Sequence, residues 1–299
     1  MTDEQEKLNE QLITACETGD LESIKWLLFS PELEVHADIA FDDYHCFLCA
    51  CQNGHLEIVR FLLISPELAE KSENANIHAW NDSGFLEACQ NGHLNVVKYL
   101  LTSPDLKEHI DITKRGDAGF IAACRNGHLD IAKYLLTSLE LSHQVKINAQ
   151  DNDAILEACK MGQLHIVDYL LTSPDLKEHA DLNIKNDLPF RLACNNDNLE
   201  LVKYFFTSPK IKIRPNIHAD NDDAFKWAFS FGYMDIIKYF IFDLNIERTE
   251  AINNYLENKM NYNEQLKQVK NWFDIRDVNK ELNQELNNDS LKINKQPKI

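Results

Sequence analysis

The chain has 299 residues and a formal charge of −18, and 44% of its residues are apolar, the level of an ordinary soluble protein. No apolar run approaches the roughly 18 residues that cross a bilayer, so no membrane span is expected. So acidic a chain repels phosphate backbones, which argues against nucleic acid as a partner. The segment after Met1, Thr-Asp-Glu-Gln-Glu-Lys, lacks the basic start and apolar core of a secretory signal, so a cytoplasmic protein is expected.

Taken in order, the chain repeats itself. A loose copy of one block spans residues 15–21. The full block is Ala50-Cys51-Gln52-Asn53-Gly54-His55-Leu56, and it returns at 88–94 and 123–129. Looser copies follow at 158–164, 193–199 and 228–234, and the anchoring alanines lie 35, 38, 35, 35, 35 and 35 residues apart. A fixed period of roughly 20–50 residues marks a solenoid, whose core grows along the stack. The first copy opens with Asp3-Glu4-Gln5-Glu6-Lys7 and turns Leu8, Leu12 and Ile13 inward, as a polar N-terminal cap should.

The third copy shows the unit most clearly. Asn81-Asp82-Ser83 supplies capping side chains for a helix that runs to Gln90. Phe85, Ala88 and Cys89 fall at i, i+3 and i+4 on its apolar stripe. Asn91-Gly92 closes it. A second helix buries Leu94, Val97, Leu100 and Leu101 and ends by Ser103, because Pro104 cannot continue it.

These units resemble ankyrin repeats over about residues 5–246. Gly54 to Leu63 follows the family's second-helix signature Gly-His-Leu-Glu-Val-Val-Lys-Leu-Leu-Leu, and so do residues 92–101 and 127–136. The resemblance implies an all-α ankyrin-repeat solenoid of about seven helix-turn-helix units over residues 1–246, the first and last acting as caps. Only eight residues separate Ala79 from Ala88, so the family's β-hairpin fingers should be shortened or absent. The opposite connection is longer. It begins Ser-Pro at Ser30, Ser65, Ser103, Ser173 and Ser208, which predicts an extra helical turn at each, with proline at its first position. The sixth position of every second helix is aromatic: Trp26, Phe61, Tyr99, Tyr134, Tyr169, Tyr204 and Tyr239. A Leu or Ile follows each of the first six by seven residues, so the inserts are expected to fold back over the rings.

Six of the eight cysteines, Cys16, Cys51, Cys89, Cys124, Cys159 and Cys194, share one repeat position. Copies of one position lie about 10 Å apart, the spacing of packed helices, which is too far for a disulfide. They read as core. His45-Cys46-x-x-Cys49-x-Cys51 is the one cluster with a flavour of metal or thiol chemistry, but Cys51 belongs to the core column. No metal, no cofactor and no catalytic residue is therefore expected. The loop histidines His55, His93 and His128 are expected to bond neighbouring backbone.

Towards the end, Ile252, Tyr255, Leu256 and Met260, then Leu266, Val269 and Phe273, recur with helical period. Residues 247–287 should form capping helices, with Leu282 and Leu286 in a third, and residues 288–299 a disordered tail. The whole −18 sits on residues 1–246, which hold 21 bases and 39 acids.

Ankyrin proteins typically bind partners on a concave face, so the variable columns around the first helix carry the candidates. These are Trp80, Glu87, Gln90, Arg115, Arg125, Glu157, Lys160, Lys185, Leu192, Asn195 and Trp227. The expected function is a protein-interaction scaffold, monomeric and not an enzyme, whose partner has a basic surface. The inserts resemble those of ankyrin proteins from intracellular bacteria, amoebae and giant viruses, which implies an effector translocated into a host cell. The alternatives are an enzyme or metal protein built on Cys46 and Cys49, and a structural or self-assembling spacer.

Overall fold

The computed structural model describes residues 2–71, 73–259 and 263–293, and they contain helices and no strand. The chain divides into two compact units, residues 1–180 and 181–299. The N-terminal unit holds repeats one to five. The C-terminal unit holds repeats six and seven and the last helices.

Each repeat is a helix pair. The first helices are Asp3–Thr18, His45–Gln52, Ala79–Gln90, Ile112–Asn126, Ala149–Lys160, Ile184–Asn195 and Ala219–Phe231. The second helices are Leu21–Phe29, Leu56–Ile64, Leu94–Thr102, Leu129–Thr137, Leu164–Thr172, Leu199–Thr207 and Met234–Phe242. Within each unit, first helices pack on first helices. The residue three before each anchoring alanine is at most 1% exposed: Leu12, Phe47, Phe85, Phe120 and Ile155 in one unit, Phe190 and Phe225 in the other. Burying one such side chain stabilises by roughly 1.5–3 kcal/mol. One position earlier the chain must be small. A Cβ at Gly119 would lie 2.7 Å from the Phe85 ring and 3.0 Å from Cys89 Sγ. Cys46 occupies this same small-residue column, which explains its burial. All eight cysteines are buried and free, the six in the core column at 0% exposure.

The loop residues tie each repeat to the one before. His55, His93 and His128 donate from Nε2 to the carbonyls of Glu17, Gln52 and Gln90 at 2.8–3.0 Å, and Gln163 does the same to Arg125 at 3.1 Å. A carbonyl only accepts, so these bonds place the imidazole proton on Nε2. Gly92, at φ +84°, lies under the His128 ring, where a Cβ would come within 2.6 Å of Nδ1.

In place of a β-hairpin finger, five repeats make a single left-handed turn. Residues 42–44, 80–82, 150–152, 185–187 and 220–222 all have φ between +46° and +71°. Left-handed backbone costs about 1–2 kcal/mol per residue, least for Asn and Asp, which dominate these turns. In three of the five turns the third residue is an aspartate that offsets that cost. Asp82 accepts from His78 at 2.6 Å, Asp187 from Asn183 at 2.5 Å and Asp222 from His218 at 2.5 Å. Their second oxygens reach the next repeat, at Arg115 Nε (3.3 Å), the Asn216 amide (3.2 Å) and Thr249 Oγ1 (2.5 Å). Repeat four instead has a continuous helix, Ile112–Asn126, capped by Asp111. There Thr113 stands in the column of His78, Asn183 and His218, and its side chain is too short for the bridge.

The expected extra helical turns form once. Pro66–Lys71 is helical. At Ser30, Ser103, Ser173 and Ser208 the chain makes a tight turn in which the serine carbonyl accepts from the residue three on, at 3.2–3.3 Å. Proline suits the second position of such a turn as well as the first turn of a helix, since both want φ near −65°. Repeat two is the one with a 38-residue spacing, and its three extra residues complete the helix.

The C-terminal helices also differ from expectation. Glu250–Glu257 packs on the first helix of repeat seven, and the second is one long helix, Asn263–Ile293, packed on the second helix of repeat seven. Gln265 reaches Gly232 just as His55, His93, His128 and Gln163 reach the glycines before them, so this pair is an eighth, divergent repeat. Ile252, Leu256, Val269 and Phe273 are buried, whereas Leu282 is 51% exposed on the same long helix and starts no third one. That helix continues to Ile293, into the stretch read as a tail; Met260 and residues 294–299 lie outside the described residues, as does the side chain of Leu286.

Candidate functional site

The candidate residues fall into both units and are described unit by unit. In the N-terminal unit, Trp80 opens the left-handed turn of repeat three. Its amide donates to Asp43 Oδ2 at 3.0 Å and its indole Nε1 to the Asp42 carbonyl at 3.1 Å, with His45 edge-on at 6.4 Å. The ring is thus fixed in place and still 44% exposed. Arg115 pairs with Asp82 at 3.3 Å. Arg125 and Lys160 both pair with Glu157, at 3.6 and 3.4 Å, which joins repeats four and five in one network. Glu87 accepts from the Asn91 side chain at 3.3 Å, and Gln90 is exposed. The structure therefore brings Arg125, Glu157 and Lys160 together, and ties Arg115, in the first helix of repeat four, to Asp82 on the turn that Trp80 opens.

In the C-terminal unit, Lys185 is exposed, while Leu192, Asn195 and Trp227 are half-buried. The Arg191 guanidinium lies 5.3 Å over the Trp227 ring and pairs with Asp220 at 2.6 Å and Asp223 at 3.1 Å. Trp227 is therefore engaged within its own unit on one face. Sequence reasoning missed Arg191. The signal was there: its column otherwise reads Ile13, Leu48, Leu86, Ile121 and Leu156 up to that repeat.

The aromatic ladder is largely closed. Tyr99, Tyr134, Tyr169 and Tyr239 are 6–8% exposed, while Phe61 and Tyr204 are half-buried and Trp26 is 45% exposed. Each buried ring is covered by a cation from the repeat before it: Arg60 over Tyr99 at 5.7 Å, Lys98 over Tyr134 and Lys133 over Tyr169 at 5.1 Å, and Lys203 over Tyr239 at 5.8 Å. A cation over a ring contributes about 0.5–2 kcal/mol. Burial pushes all four phenol groups above their ordinary pKa.

The cysteine cluster carries no reactive signature. Burial, and then the charge of Glu17, push the Cys49 thiol up to about 12, and its Sγ donates to Glu17 Oε1 at 3.8 Å. Cys46 donates to the Ile39 carbonyl at 3.5 Å. A hydrogen bond to Cys46, and then burial, raise the Cys16 thiol. A thiol must lose its proton to attack or to bind metal, and the surroundings of Cys49 and Cys16 oppose that loss. Among the described residues, no three His, Cys, Asp or Glu side chains are grouped to hold a metal ion, and no helix is long and apolar enough to cross a membrane.

A family model described as ankyrin repeats (3 copies) matches residues 12–115 and again 85–186, together more than half of the chain. The chain belongs to the ankyrin-repeat family. Ankyrin repeats generally mediate protein–protein interaction, and they are typically binding scaffolds without catalysis. No curated protein matches this ankyrin chain.

Proposed function

We propose that this ankyrin protein is a monomeric, non-catalytic interaction module that holds a basic protein or peptide on the first-helix face of its repeats. The observation that carries this is the preformed surface of the N-terminal unit. Trp80 stands half-exposed on a turn fixed by two hydrogen bonds, and Arg125, Glu157 and Lys160 form one ion-paired network. Tryptophan and arginine are the residue types most enriched at binding hot spots. Acidity supplies steering: residues 1–180 hold thirty acids and thirteen bases, a net charge of −17. Lys185, Leu192, Asn195 and Trp227 extend the candidate set in the C-terminal unit. The likeness to repeat proteins of intracellular bacteria supports a place of action inside a host cell.

The test is affinity capture from a eukaryotic lysate with the intact chain, beside Trp80→Ala and a Trp80→Ala, Trp227→Ala double variant. A captured protein with a basic surface, lost with Trp80→Ala while circular dichroism is unchanged, supports the proposal. Capture indifferent to both variants would move the site elsewhere.

A further inference from the structure

The inserts after the second helices form a feature that none of the candidate residues touches. In the N-terminal unit, three clefts of about 410, 290 and 540 Å³ lie between successive inserts. All three are built alike. One wall is the end of a second helix (residues 63–64, 101–102, 136–137), the floor is the extended return (74–77, 109–112, 144–148), and the far wall is the next insert (105–108, 140–142, 175–178). Ile77, Ile112 and Ile147 recur on the floors, and Leu106, Leu141 and Leu176 on the far walls. Acids recur on the rims, as Asp105 and Glu108, Glu140, and Asp175 and Glu178, although Lys107, Lys146 and Lys177 share them. The third cleft is the largest and carries Leu139, which stands where the other inserts have proline and is 95% exposed.

We propose that these three clefts take one basic, extended peptide segment carrying an aliphatic side chain at every third residue. Three arguments converge. The first and third clefts, of about 410 and 540 Å³ and more apolar than polar, match ligand pockets of about 300–1,000 Å³, and the smaller, mainly polar middle one links them. Successive repeats follow at the helix-packing distance of about 8–10 Å. A polyproline-type strand rises about 3.1 Å per residue with three residues per turn, so its every third side chain recurs at about 9 Å. The rims are mixed in charge, so the selection for a basic segment comes from the −17 of the whole unit.

The probe is a fluorescein-labelled synthetic peptide of four Leu-Pro-Lys triplets, compared with an isomer of the same composition whose leucines are irregularly spaced. Anisotropy is read on the full chain, on Leu139→Asp, on Glu178→Lys and on Trp80→Ala. All three positions are exposed, so folding is expected to survive, and circular dichroism checks it. The triplet peptide should bind about tenfold tighter than its isomer, each cleft variant should weaken it several-fold, and Trp80→Ala should leave it unchanged. Equal binding of the two peptides, or no binding of either, overturns the proposal. So does a loss with Trp80→Ala in the absence of a loss with the cleft variants, which would assign the peptide to the first-helix face.

Discussion

Residues 1–180 carry thirty acids and thirteen bases, whereas residues 181–299 carry eighteen and seventeen. The two units use the same helix pair, the same buried large apolar side chain three residues before the anchor and the same carboxylate staple. They differ in what the core does not constrain. Seven of the eight cysteines lie in the N-terminal unit, and in the C-terminal one Phe229 takes the thiol position of repeat seven at 0% exposure. Nine of the fifteen phenylalanines lie in the C-terminal unit, although it is the shorter. The contrast separates two demands on one repeat. Packing fixes the inward columns in both units, while the surface charge, which packing does not fix, differs between them.

The first way to break this comparison is to attack what the units share. Phe120→Ala and Phe225→Ala should each cost about 3–5 kcal/mol in urea unfolding, because both rings are fully buried. A cost below about 1 kcal/mol for either would show that its column is not core in that unit. Next in size is the staple. Asp222→Ala should cost about 2 kcal/mol and raise hydrogen exchange across Glu250–Glu257, since it strands His218 and the Thr249 cap. Asp117→Ala, in repeat four, which has no left-handed turn, should stay within about 0.5 kcal/mol. Equal effects would remove the staple from the account.

Thiol labelling sharpens the contrast in composition. Neither the seven cysteines of one unit nor Cys194 of the other should react with iodoacetamide at pH 8 before unfolding. Every one is buried, and Cys49 titrates only at about 12. Fast labelling at Cys46 or Cys49 alone would revive thiol chemistry there. The smallest expected effect is on the acid limb of stability. Hydrogen bonds from Ser23 hold the Asp20 carboxyl below its ordinary pKa, as those from Thr113 do for Asp111, both in the N-terminal unit. A lowered folded pKa gives stability that is present above about pH 4 and lost as pH falls through it. Asp197, in the C-terminal unit, is raised by burial and by Asp235, so its contribution has the opposite sign and fades as pH rises. Asp20→Asn should therefore flatten the fall in stability below pH 4, and Asp197→Asn should not.

Much of this was legible beforehand because a repeated core repeats its letters. The period, the helix pair and the buried thiol column all follow from residues that recur, and the structure places them as expected. What was not legible depends on partners outside the local segment. Asn81-Asp82 reads as a helix cap, and it forms a left-handed turn that Asp82 ties to His78 and Arg115. Ser-Pro reads as a helix start at five places, and proline alone does not distinguish that from a tight turn. Only the three extra residues of repeat two decide it there. The Trp227 column looked open until Arg191, the first charge in a column that is aliphatic through repeat five, covered one face of the ring. The last helix kept its expected buried residues, but Glu264-Gln265 in place of Gly-His before Leu266 hid an eighth repeat.

Hydrogen exchange on the complex with the captured partner tests the central claim most directly. Protection on binding should concentrate in residues 78–125 and 149–160 of the acidic unit and weaken with added salt. Protection confined to residues 263–293, or absent from the first-helix segments altogether, would contradict it.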